Sequence, residues 1–559
     1  MKQSRFIVVG VNPFALLLSV VLLYGSAPVG FNWMFLSSKE GVEKAIQRLK
    51  PRPGPFTDAR RPVWLGTDPG RDPIGRAGTW TPMLLNDMQK VLLKEHFQRP
   101  DMVWASIDVL GLLMSPPPPP VGGGGGGGEG GGEGGGGSQL NTNTGNRLTP
   151  KGVTGWSSAG DSRVSFNLYH NSMGTYNFDI GEGWSHSYDV KVDYTQGSSC
   201  IVRWHDGTRH PYTEDLNGDF TPTAGVHDSL VKKGNGTFTL TTKHQSVLEF
   251  STTGRLTAVK DKFGNTVTVS RDGNDKVTAV TDEDSRALEF AYNGSGLIES
   301  VTDPLDRVWE FAYNGSLQLT GITYPDLETV SHDRTFTYDT GHNILTETDL
   351  EGKVWTWTYD SEDRETSYTD PLNETWTFAY TDTAVTMTDP LANEVVHNYS
   401  GGMLASTVDE AEYSDAFEWS LDKQLSEYTD RRGKVWLFSH DADGNLVTRT
   451  DPLTRIWEYT YNANNFLTSV EDPLGNVTTV AYAGGSMAPT SIEDPLERTA
   501  ATLVYDGDGD LLSVEDALER VTTYEYDGYK NVVEVTAPDG TTVSGTYNLV
   551  GWVESVTDS

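Results

Sequence analysis

Cysteine is nearly absent from this chain of 559 residues, with Cys200 standing alone. No disulfide can close within the chain and no cysteine-based zinc site can be assembled, so the fold must hold by packing and hydrogen bonds. Basic charge is short too. Against 42 Lys and Arg stand 78 Asp and Glu, a formal net charge of -36. That excess keeps the chain soluble and excludes nucleic acid as a partner, because phosphates would be repelled. Catalytic signatures are missing as well: there is no Gly-x-Ser-x-Gly elbow, no His-Glu-x-x-His and no glycine loop with a lysine to cradle phosphate. The eleven histidines are scattered. His186 in GWSHSYD and His205 in RWHDG read as packed or turn residues. The chain therefore reads as non-enzymatic, with no cofactor and no metal. A glycosidase needs only two suitably spaced carboxylates, which makes it the one catalytic alternative this acidic composition keeps open.

Long apolar runs are confined to the beginning. Lys2 and Arg5 precede an apolar stretch from Phe6 to Tyr24, broken at Asn12 and Pro13 and followed by Gly25-Ser26-Ala27. Residues 1–36 thus read as a signal peptide or a membrane anchor, with a buried helix as the third reading. Either of the first two places the remainder outside the cytoplasm, in the extracellular space or at the cell surface, and the anchor would give an N-terminal membrane contact. Residues 37–114 are a poorly defined spacer, with one amphipathic pattern from Met83 to Phe97. Pro116 to Pro120, then a glycine tract over 122–137 broken only by Glu129 and Glu133, make residues 115–138 a linker.

What the chain has in abundance is repetition. Asp261, Asp282, Asp303, Asp349, Asp370, Asp389, Asp409, Asp430, Asp451, Asp472, Asp494 and Asp516 recur 19 to 22 residues apart, except for a step of 46 that holds a degenerate copy at Tyr324-Pro325-Asp326. Six, eight and ten residues after the aspartate come large apolar groups: Trp309, Phe311 and Tyr313; Trp355, Trp357 and Tyr359; Trp457, Tyr459 and Tyr461. Trp376 holds the first of these places after Asp370. A spacing of two puts such a trio on one face of a strand. A turn follows, as in Tyr313-Asn314-Gly315-Ser316, where Asn and Gly would accept positive φ. A second run then carries aliphatics sixteen and nineteen places on, such as Ile298 and Val301, Leu319 and Ile322, Leu467 and Val470, Val532 and Val535. Each unit is one β-hairpin closed by Asp-Pro-Leu, where Pro presets the turn and Asp accepts backbone hydrogen bonds. The fold class is all-β. About 14 hairpins make roughly 28 strands, and at ~4.8 Å each the sheet would extend ~130 Å. Twist forbids a flat sheet of that width, so it must coil into a spiral or shell.

The Asp-Pro-Leu-x-Arg starts, the Trp-x-Tyr-x-Tyr strand and the pairs Tyr338-Asp339, Tyr359-Asp360, Tyr505-Asp506, Tyr526-Asp527, Tyr313-Asn314 and Tyr461-Asn462 resemble the YD repeats of bacterial rearrangement-hotspot (RHS) proteins and of teneurin shells. VSFNLYHNS from Val164 and GEGWSHSYDVKV from Gly181 resemble the module that precedes the repeats in RHS proteins. The resemblance covers residues 138–559 and divides them into an N-terminal β module, 139–260, and a repeat array, 261–559. It implies a hollow β-spiral around a cargo, usually a C-terminal toxin. No conserved core, cleavage motif or toxin segment appears before Ser559, so the array reads as incomplete, with a genuine short scaffold as the other reading, and the enclosed effector, or an associated polypeptide, as lying outside this chain.

Two acidic turns resemble openings of calcium loops. In Asp506-Gly507-Asp508-Gly509-Asp510, however, Leu511 sits where the turn glycine belongs and Ala517 where the bidentate Glu belongs. Both this segment and Asp215-Leu216-Asn217-Gly218-Asp219 read as polar hairpin turns. The aromatic stripe carries the alternative function. Were Trp309, Trp355, Trp376 and Trp457 exposed, they could stack on sugar rings and make the chain an adhesion or cell-surface carbohydrate-binding protein; buried, they are packing.

Overall fold

Alternating apolar and polar residues punctuated by Asp-initiated turns leave the backbone one regular choice, an antiparallel meander. The structure, a computed structural model, describes residues 5–11, 18–24 and 139–558, apart from 175–176, 198 and 326–331. The spacer 37–114, its pattern from Met83 to Phe97 and the linker 115–138 lie outside the described residues. So does the signal or anchor segment, except Arg5–Val11 and Leu18–Tyr24, which pair antiparallel. Among the described residues there is no α-helix, and hence no helix long and apolar enough to cross a membrane.

From Ser229 to Asp558 the chain forms one sheet of 32 strands, each antiparallel to its sequence neighbours. The sheet begins ahead of Asp261: Ser229–Lys232, Phe238–Thr241, Val247–Phe250 and Leu256–Lys260 already belong to it. These strands alternate as the later ones do but lack the Asp-Pro-Leu punctuation, so the spacing alone could not register them. The degenerate copy keeps its place, since Leu319–Tyr324 pairs directly with His332–Tyr338.

The punctuation works through the carboxylate. Asp303 Oδ1 accepts the backbone N–H of Leu305 (2.9 Å) and of Arg307 (3.1 Å), while Oδ2 accepts Arg307 Nε (2.8 Å). The main chain closes around it with Asp303 N–H to Arg307 O and Asp306 N–H to Asp303 O. Where an Asn or Asp heads it, the turn at the other end of the hairpin is built the same way. Asn314 Oδ1 accepts from Ser316 and Gln318, and Asp441 Oδ1 from Asp443 and Asn445. Asn314-Gly315 is therefore not a two-residue hairpin loop. The side chain of Asn314 pins it at the head of a longer turn, and the positive φ falls on Leu317 (φ 61).

The tyrosines of the Tyr-Asp and Tyr-Asn pairs tie successive hairpins together. Tyr313 Oη donates to Ile298 O (2.7 Å), Tyr359 to Ile344 O (3.1 Å), Tyr461 to Leu446 O (3.0 Å) and Tyr526 to Leu511 O (2.8 Å), each reaching back fifteen residues. Trp419 Nε1 makes the same bond to Leu404 O (2.7 Å). Across the ladder Val301 faces Trp309 and Ile322 faces Phe311. The opposite face is lined with hydroxyl pairs such as Thr358 with Ser367 and Thr460 with Ser469.

The sheet winds as a spiral. Gly160 N–H donates to Asp510 Oδ1 (3.0 Å), Asn265 Nδ2 to Asp508 O (2.7 Å) and Arg286 NH1 to Leu549 O (3.2 Å), and Arg307 lies 4.1 Å over the ring of Trp552. Turns separated by roughly one circuit thus meet at the strand ends. The strands from Thr266–Arg271 to Thr499–Tyr505 make up that circuit; these 23 strands at ~4.8 Å give a girth of ~110 Å and a width of ~35 Å. Side chains of one sheet do not fill such a space. In the early part of that circuit the N-terminal module fills it: Phe166 lies 5.2 Å from Phe290 and 6.1 Å from Phe311, Trp184 lies 5.1 Å from Phe336, and Trp156 joins the same core.

Candidate functional site

The aromatic face of the sheet is its inner face, because the N-terminal module packs on it. Of the sugar-stacking candidates, Trp309 and Trp355 are buried there, whereas Trp376 and Trp457 are half-buried. The change follows the filling: the large core cluster reaches Trp357 and Tyr368, and a second, smaller cluster forms around Leu404, Phe417, Leu425 and Phe438. Beyond the module the aromatics support one another. Tyr368 stacks between Trp357 (5.9 Å) and Trp376 (5.2 Å), and the Arg449 guanidinium lies 4.1 Å from the Trp457 ring and 5.6 Å from that of Trp436.

The aspartates named from sequence sit at the heads of turns, away from this face. Asp303 and Asp451 are buried and hold Arg307 and Arg455; Asp370 accepts from the backbone of Leu372 (2.8 Å) and Glu374 (2.9 Å). Tyr313, Tyr359 and Tyr461 make the backward tethers. The named residues are thus one repeated device and do not converge on a pocket.

The two acidic turns are satisfied by groups of the chain itself. Asp506 and Asp508 are joined by the ammonium of Lys530, 3.3 Å from Asp506 Oδ2 and 2.6 Å from Asp508 Oδ2, which occupies the place a metal would take. Asp215 Oδ1 accepts the N–H groups of Asn217 and Asp219. Among the described residues no group of His, Cys, Asp and Glu is arranged to hold a metal.

A buried ionic cluster went unread in the sequence. Lys151 of the N-terminal module meets Glu347 (2.8 Å), which also pairs with Arg334; Arg147 lies 3.6 Å from Glu365 and 3.6 Å over Trp357. Burial pushes Glu365 up to about 7 and Lys151 down to about 8. The signal was present: Glu347 faces Trp355 just as Val301 faces Trp309, and Glu365 occupies the sixteenth place after Asp349, where other copies carry an aliphatic residue. Carboxylates at core positions of a repeat mark where the module docks. His186 is packed as expected, in the core beside Phe166, and burial holds it down to about 3. His205 is buried against Tyr169.

Four segments, 338–375, 419–456, 440–477 and 505–542, match the family described as RHS Repeat, and residues 137–212 match a domain of unknown function, DUF6531. No curated protein matches the chain. Among solved structures it is similar to a TcdB2-TccC3-Cdc42 crystal structure, with TM-score 0.41, 12% identity, and coverage of 74% of this chain and 26% of that one. It is also similar to TcdB2-TccC3 without its hypervariable C-terminal region, with TM-score 0.40, 12% identity, and 74% and 26% coverage. A third likeness is to the Photorhabdus luminescens Tc holotoxin pore, with TM-score 0.25, 11% identity, and 75% and 25% coverage. The chain spans about a quarter of the length of each of these chains.

Proposed function

Because this chain is an RHS/YD-repeat protein, we propose that it is a non-enzymatic scaffold, secreted or anchored at the cell surface, forming part of a shell around an effector polypeptide used in contact-dependent competition or delivery. The inner face carries the proposal. Along the strands up to Tyr368 it is filled by the N-terminal module, while beyond them the same face leaves Trp376, Trp436 and Trp457 half-open across a width of ~35 Å. Apolar surface turned inward favours a polypeptide held in an extended or unfolded state, and the hydroxyl-lined outer face suits water. The apolar stretch from Phe6 to Tyr24 supports export.

The test is limited proteolysis of the protein isolated from its source cells, followed by mass spectrometry of what survives. A protected polypeptide distinct from residues 139–558 is the expected result, and its absence would remove the proposal. The half-open tryptophans favour a second reading, saccharide binding; a glycan array with Trp376→Ala and Trp457→Ala as controls distinguishes the two.

A further inference from the structure

The inner face of the sheet repeats itself, so most of what holds the N-terminal module to it would hold it one hairpin away. Phe166 lies between Phe290 and Phe311, which occupy the same place in consecutive units. One unit on, it would lie between Phe311 and Phe336. Trp184 packs on Phe336 and its Nε1 donates to Tyr338 Oη (2.8 Å); Trp357 and Tyr359 stand in those places in the next unit. Trp156 Nε1 donates to Asp282 Oδ2 (2.8 Å) and Arg286 NH2 to Ser157 O (3.0 Å), and Asp303 with Arg307 repeats both partners. The chain connection permits such a shift. Residues 223–228 link the module's strand Phe220–Pro222 to Ser229–Lys232 and can span ~20 Å, whereas one hairpin is two strands, ~10 Å.

The most deeply buried charged contacts do differ from unit to unit. Lys151 Nζ meets Glu347 (2.8 Å) and Arg147 lies 3.6 Å from Glu365, with all four side chains 5% exposed or less. Glu347 faces Trp355 across the ladder; in the equivalent places Ile322 faces Arg334 and Tyr368 faces Trp376. Glu365 faces Tyr359, where Ile344 faces Tyr338 and Val385 faces Tyr380. A slip of one unit therefore takes Lys151 to Ile322 or Tyr368, and Arg147 to Ile344 or Val385. Glu347 would keep Arg334, but Lys151, Arg147 and Glu365 would be stranded. The slip towards Ile322 also sets Lys151 beside Arg334. Two other charged contacts, Lys276 with Asp179 and Arg271 with Tyr188 O, are only part-buried, so water can compensate their loss.

We infer that Lys151 with Glu347 and Arg147 with Glu365 form a register key, choosing which hairpins of the array the module fills. A buried ion pair adds little over an apolar pair of the same size. It shifts an equilibrium by a factor on the order of 100 to 1000 when one member is left alone, which makes it a poor fastener and a good discriminator. The register sets the enclosed space. The filled face ends at Tyr368 and the half-open face begins at Trp376, and a slip of one unit would move that boundary by ~10 Å.

The separation of two spin labels in the full chain reads the register, with Met173→Cys in the module and Ser316→Cys in the sheet. Both sites are exposed and the native Cys200 is buried. The wild-type charges should give one separation. An apolar key, made by Arg147→Met, Lys151→Met, Arg334→Met, Glu347→Leu and Glu365→Leu together, should melt no lower than the wild type. It should nevertheless show a second separation, displaced by ~10 Å. Glu365→Arg alone sets like charges together and should reduce the native separation about tenfold or more; adding Arg147→Glu should restore it. An apolar key that keeps the single native separation overturns the proposal, because packing or the chain connection then sets the register. One that fails to fold overturns it as well, because the charges then serve stability. So does a Glu365→Arg chain with its native separation unchanged, or a reversed pair that does not recover it.

Discussion

Replacing Asp303 and Asp494 separately by alanine sets two copies of one device against each other. Each carboxylate accepts the N–H groups two and four residues on and holds an arginine, Arg307 or Arg498. The surroundings differ: the Asp303 and Arg307 side chains are 0% and 14% exposed, those of Asp494 and Arg498 24% and 69%. Removing Asp303 strands a guanidinium and two backbone N–H groups away from water. Breaking a buried pair costs about 3–5 kcal/mol, whereas losing an exposed pair and two solvated turn bonds should cost about 1 kcal/mol. Guanidinium unfolding read through tryptophan fluorescence measures the difference, provided the slope with denaturant is unchanged, so that the shift in midpoint reports stability. Amide hydrogen exchange in Val308–Tyr313 and in Thr499–Tyr505 shows whether the loss is local. Equal effects at the two sites would refute the claim that the overlying winding desolvates the Asp303 turn.

Thr454 is β-branched yet has φ 63, so Thr454→Gly should raise stability by about 1 kcal/mol in the same assay. Tyr461→Phe removes the bond to Leu446 O and should cost about 1 kcal/mol. Burial holds His170 and His186 down to about 3. Below their unfolded value of about 6.5 the unfolded chain binds more protons, so their contribution falls as pH drops from 6.5 towards 3. Glu365, raised to about 7, acts oppositely: its contribution is full below about 4.5 and is lost as pH rises through 7. His170→Gln should therefore flatten the acid limb of a stability-against-pH curve. Cys200 is buried and its thiol is pushed up to about 12, so it should resist thiol reagents in the native protein and react after denaturation.

The hairpin, its aromatic face and the role of the aspartate were legible because each is local: a two-residue period, a turn residue and its acceptor lie within one unit. The need to coil was legible from strand number alone. What was not legible depends on residues far apart in sequence. Trp309 and Trp457 occupy equivalent positions, and only the placing of the N-terminal module makes one buried and the other half-open. Glu347 and Glu365 looked like noise in the repeat until Lys151 and Arg147 stood opposite them. The leucines of Asp-Pro-Leu read as turn punctuation, and the contrast between Phe263, packed on Gly509, and the exposed Leu496 emerges only once one winding lies against the next.

The central claim is that the sheet beyond the N-terminal module keeps its aromatic face inward, around a space that holds polypeptide. Electron cryomicroscopy of the protein purified from its source cells tests it most directly. The account predicts a wound sheet with density not belonging to residues 139–558 lying along Trp376, Trp436 and Trp457. A sheet with those tryptophans turned outward, or a wound sheet with only solvent inside, would contradict it.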